Sequence, residues 1–139
     1  MSSAGAGLRP EETALAVVRV VVAGLLIIHG VARISYGIVD DFGGFLTGVG
    51  FPLGTILAWT VTVVEILGGA LLALNRWARV LAIWFSIQLA AGIALVHAPE
   101  GWFVVGAGRN GVEYSILLIA CLLAIAFAAG PAQGEVGGP

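Results

Sequence analysis

Two histidines and a glutamate, His29, His97 and Glu113, are the side chains of this sequence best suited to exchanging protons or holding a cation. Each falls at one end of a long apolar segment, with Arg33 and Arg109 close by in sequence. A bundle of those segments would bring all five to one outer level, as a polar cluster. Such a cluster suits a metal, the head group of a quinone, or a proton relay. Haem ligation by the histidine pair has no motif behind it. Two histidines and one carboxylate on separate helices are a weak metal signature, so no metal is assigned. The plain alternative is a pair of interfacial histidines satisfied by loop carbonyls.

A second set lies deeper. Glu65 is the single ionisable residue of the apolar stretch Pro52 to Leu74. A carboxylate in the middle of a membrane helix costs about 2.5 kcal/mol or more, so it faces a partner or a cavity and not lipid. Thr62 precedes it by three residues, and Gly68 and Gly69 follow at three and four, on a face where another helix can come close. Arg19 lies six residues into the first apolar segment, and Glu65 nine residues from the end of the second. At ~1.5 Å per residue those depths differ by about 4–5 Å. Gln88 falls at the same level. The expectation is a buried Arg19–Glu65 pair, bridged by Gln88 or water, because either charge alone would be unpaired.

The elements that position these residues follow from hydropathy. The chain has 139 residues, is 60% hydrophobic and 10% charged, and has a mean hydropathy of +1.07. That composition excludes an ordinary soluble domain. Four apolar segments, about 13–35, 52–74, 79–97 and 112–129, are long enough to predict an all-α, polytopic four-helix membrane bundle over 13–130. Tails at 1–12 and 131–139 are expected to be flexible. Phe42, Phe45, Leu46 and Val49 recur at helical spacing, which predicts a short interfacial helix in the first outer loop. The short turn Asn75-Arg76-Trp77-Ala78-Arg79 makes the second and third helices antiparallel neighbours. Ala16, Arg19, Ala23 and Gly30 form a small-residue stripe along the first.

Several functions are excluded. The net charge is −2 and the six basic residues, all arginine, form no patch, so no nucleic acid is expected. The lone Cys121 permits no internal disulfide and no paired-cysteine redox centre. Gly106, Gly108 and Gly111 spell GxGxxG, but a dinucleotide fold needs a parallel sheet and an acid about 20 residues on. A loop is the better reading. The amino terminus lacks the basic region of a cleaved signal. Arg9, Arg76 and Arg79 on one side against Arg33 and Arg109 on the other place both termini in the cytoplasm.

Taken in order, Arg19, His29-Gly30-x-x-Arg33, Gly50-Phe51-Pro52, Val64-Glu65-x-x-Gly68-Gly69, Arg79, His97 and Glu113-Tyr114 resemble the DoxX family. The resemblance runs from about Thr13 to Gly130; the family usually has Lys where Arg33 stands, which keeps the charge. It implies a small four-helix protein of a prokaryotic cytoplasmic membrane. Some relatives are associated with quinone-linked oxidation of thiosulfate or with membrane oxidoreductase assemblies.

Two functional expectations remain. In one, the chain is an accessory subunit of a quinone-linked oxidoreductase. It carries no covalently bound cofactor and no electron-carrying motif, and works with other membrane subunits or copies of itself. In the other, it is a non-catalytic structural subunit whose buried charges and outer histidines serve only its fold. No catalytic residue is assigned. For the redox reading, His29, His97 and Glu113 must converge on one pocket, walled by Tyr36 or Trp102 and by the Phe42 to Phe51 segment.

Overall fold

Apolar length decides most of the architecture. The computed structural model describes residues 9–130 and is all-α, with five α-helices. They are α1 (Pro10–Ser35), α2 (Val39–Gly48), α3 (Gly54–Ala73), α4 (Ala78–Gly92) and α5 (Glu113–Ala128). A π-helical turn, Ile93–His97, and a 3-10 turn, Ala98–Glu100, extend α4. With them it becomes a span of 23 residues, and α1 (26 residues), α3 (20 residues) and this extended α4 are long and apolar enough to cross a bilayer. The segment expected as a fourth span is a shorter apolar helix of 16 residues. At ~1.5 Å per residue that is about 24 Å, less than the ~30 Å hydrocarbon layer.

Local chemistry sets the helix limits. Pro10 opens α1, where its missing N–H does no harm, and the Glu12 carboxylate accepts from the Arg9 backbone N–H and from its guanidinium. The helix therefore begins three residues before the expected boundary. Gly37, at φ +67°, ends it in a turn that an L side chain rarely adopts. The expected short helix exists as α2. It lies tight against the start of α3: a Cβ on Gly54 would collide with the Gly43 carbonyl oxygen and the Thr47 hydroxyl. The remaining residues of the expected tails, 1–8 and 131–139, lie outside the described residues. The GxGxxG segment is an irregular connection, and no strand occurs among the described residues.

The helices pack as two groups. α3 lies along α1 and under α2, α5 lies along α4, and the α1–α5 and α3–α4 contacts that join the groups are less extensive. Near the α3–α4 turn, here the hairpin end, Val22, Leu26, Leu72, Ala82, Phe85, Leu122 and Ile125 form one buried core. At the opposite end α2 and the 101–112 connection close over the helices, and there the interior is open.

Candidate functional site

The site begins with how closely α1 approaches α3. A Cβ on Gly30 would meet the Thr62 carbonyl oxygen at 3.1 Å and Glu65 Cβ at 3.3 Å; one on Gly69 would meet the Ala23 carbonyl oxygen at 3.2 Å. These contacts put Glu65 level with about residue 29 of α1. Arg19 is therefore about ten residues further along, or about 15 Å at ~1.5 Å per residue. The expected Arg19–Glu65 pair does not form. Arg19 lies toward the hairpin end, and its Nε is buried without a hydrogen-bond partner.

Arg33 takes its place. Its Nη1 donates to Glu65 Oε2 at 3.0 Å and to Thr62 Oγ1 at 2.8 Å. The Thr62 hydroxyl in turn donates to the Ala58 carbonyl at 2.8 Å. Gln88 Nε2 donates to the other carboxylate oxygen, Glu65 Oε1. Glu65 is 3% exposed and Arg33 9%, so each charge needs the other. The guanidinium also stands over the Phe42 ring, 4.8 Å from its centroid. One cluster thus ties together α1, α2, α3 and α4.

This cluster forms one wall of a cavity of about 670 Å³ between the helices at the α2 end. Leu25, Leu26, Leu57, Val61, Trp84, Leu95 and Leu118 give it an apolar lining, and Phe42, Phe45 and Phe51 close it from the α2 side. His29 and His97 both line it, with Tyr114 and Ser115. The π-helical turn that ends in His97 adds a residue relative to α-helical winding and re-aims the chain beyond it, a feature frequent at functional sites. His97 Nδ1 lies 2.7 Å from the carbonyl oxygen of Asn110, a residue with left-handed backbone (φ +57°). A carbonyl can only accept, so Nδ1 carries a proton, and in the neutral imidazole Nε2 is left as an acceptor.

The other members of the expected outer cluster lie elsewhere. Glu113 is not part of the cavity lining; its Oε1 accepts from the Val104 backbone N–H at 2.8 Å and fastens the 101–112 connection to the start of α5. Gly111 belongs to the same fastening, since a Cβ there would collide with the Trp102 carbonyl. Arg109 is exposed on that connection, and Arg33 belongs to the deeper cluster. Of the expected walls, the Phe42 to Phe51 segment is in place, whereas Tyr36 and Trp102 are outside the lining and largely exposed. No three His, Cys, Asp or Glu among the described residues are grouped to hold a metal. Asn110 is the residue that sequence reasoning misses; its one signal is the turn-forming Asn-Gly pair.

Comparison with curated proteins and with solved structures finds no match. The DoxX family model matches residues 14–98, which include His29, Arg33, Glu65, Gln88 and His97 but not the Asn110 and Glu113 region. That match spans more than half of the 139 residues, and the chain belongs to the DoxX family.

Proposed function

We propose that this chain is a small membrane subunit of a quinone-linked oxidoreductase assembly, and that the cavity at its α2 end receives the quinone head group. The observation that carries this reading is the cavity's composition: an apolar, aromatic lining with a few convergent polar groups, Arg33, Glu65, Gln88 and His97. Small-molecule sites have that character. Arg33 spends only Nη1 on Thr62 and Glu65, which leaves N–H groups for a ring oxygen. His97 offers a proton acceptor, and the aromatic side chains suit a flat ring. The chain has no electron-carrying motif, so electrons come from a partner subunit and pass through the bound quinone.

In the same proposal α1, α3, the extended α4 and the shorter α5 with its flanking turns all cross the membrane, and the hairpin end faces the cytoplasm. Arg33 is buried and paired, so it no longer counts as a loop charge. The bias becomes Arg9, Arg76 and Arg79 against Arg109 alone.

A structural subunit is the second reading, and one observation favours it. The Arg33–Thr62–Glu65–Gln88 cluster joins three helices and would stabilise the bundle with no ligand at all. Extraction in mild detergent, followed by analysis of co-purifying proteins and extractable lipids, separates the two. Quinone together with a dehydrogenase or cytochrome subunit is the result expected here. A homogeneous, quinone-free protein would leave the structural reading standing.

A further inference from the structure

Two acceptors on the cavity wall are left without a donor, and they say which form of ligand it suits. Gln88 Nε2 donates to a carboxylate oxygen, which can only accept. The orientation of the amide is thereby fixed, and its Oε1 is the atom left over. That oxygen is buried and has no hydrogen-bond partner. On His97 the same logic applies, since Nδ1–H is committed to the Asn110 carbonyl and Nε2 remains a bare lone pair. Two residues that line the cavity, on successive parts of one helix, therefore each hold an acceptor without a donor. The cavity's charges do not change this, because Arg33 and Glu65 neutralise one another.

We infer that the cavity is built to receive hydroxyl groups, so that among lipids with a redox-active ring it binds the reduced, hydroxyl-bearing hydroquinone in preference to the quinone. This rests on the reading of the cavity as a quinone-class site. A hydroquinone places one O–H toward His97 Nε2 and the other toward Gln88 Oε1, which a small turn of the amide about its Glu65 bond presents to the cavity. The ring oxygens still accept from the free N–H groups of Arg33. A quinone satisfies Arg33 equally well but leaves both acceptors without a donor, and the buried one, Gln88 Oε1, is the more expensive to leave so. A neutral molecule is also the right partner for a site whose own charges cancel.

The test uses the full chain in phosphatidylcholine nanodiscs under anaerobic, reducing conditions. Its probes are a decyl-substituted hydroquinone, its dimethyl ether and, without reductant, the corresponding quinone. The dimethyl ether keeps the ring, the tail and the oxygens but has no hydroxyl to donate. About tenfold tighter binding of the hydroquinone than of either other probe is expected. His97→Phe should reduce that preference, and His97→Gln, which restores an acceptor, should recover part of it. Equal binding of all three probes would overturn the inference while leaving the quinone-class site intact. Binding of none would remove the site itself. A preference that persists unchanged in a folded His97→Phe and in Gln88→Leu would show that the two acceptors do not set it.

Discussion

At the hairpin end Phe85, Leu72, Leu122 and Ile125 are buried against one another; at the α2 end the same bundle parts around about 670 Å³ of space. Both ends use long apolar helices, so hydrophobicity does not distinguish them. What differs is where the polar residues and the tight glycines are. The hairpin end is filled by interlocking apolar side chains, which contribute through close packing. The α2 end is instead tied around its cavity by groups that must satisfy one another: the Arg33–Glu65 pair, α2 wedged on Gly54, and the connection fastened by Glu113. A fold that stabilises one end by packing can leave the other hollow without collapsing.

The comparison is most easily broken at the ion pair. Glu65→Leu leaves Arg33 buried and unpaired and should cost about 3–5 kcal/mol. The double change Glu65→Leu with Arg33→Met should cost much less, because no charge is stranded. Chemical denaturation in detergent micelles measures both. A single variant no worse than the double would mean that the pair does not hold the hollow end.

The filled end should respond to volume. Leu122→Ala should destabilise by about 3 kcal/mol, within the range for buried leucines. Leu95→Ala, which only enlarges an existing cavity, should cost less than about 1 kcal/mol. Equal costs in the same denaturation series would contradict the contrast between the ends.

Glycines sharpen it further. Gly54→Ala drives a methyl into the Gly43 carbonyl and the Thr47 hydroxyl and should cost about 2 kcal/mol. At Gly92, on the cavity wall, an added Cβ meets nothing within 4 Å. Gly92→Ala should therefore stabilise by about 0.5–1 kcal/mol, through the lower entropy cost of helix formation. Thermal unfolding of the two variants side by side checks the opposite signs.

Much of this is legible in the sequence, and the failures have a common physical source. Apolar length marks the spans, and the 3–4 spacing of Phe42, Phe45, Leu46 and Val49 marks α2. A lone Glu65 beside Gly68 and Gly69 identifies the face on which a partner has to come. Counting depth as though α1 and α3 ended in the same planes assigns the wrong partner. α2 and the early start of α1 shift the two helices lengthwise, so that Glu65 meets Gly30 and not the region of Arg19. The stripe Ala23, Gly30 points at Arg33, three residues further on the same face. Convergence of His29 and His97 needs helix rotation, which spacing alone does not fix, and the separate role of Glu113 needs the path of the 101–112 connection.

The claim that joins these observations is that the hollow end is a ligand site and not a packing defect. Gly92→Phe tests it most directly, since the phenyl ring enters the cavity from a backbone position with room for it. The measurement is the rise in unfolding temperature that a decyl-substituted hydroquinone produces in wild type and variant. The account predicts a variant as stable as wild type or more so, with the ligand-induced rise lost. A variant that keeps the full rise would show that the ligand sits elsewhere and that the cavity has no part in binding it.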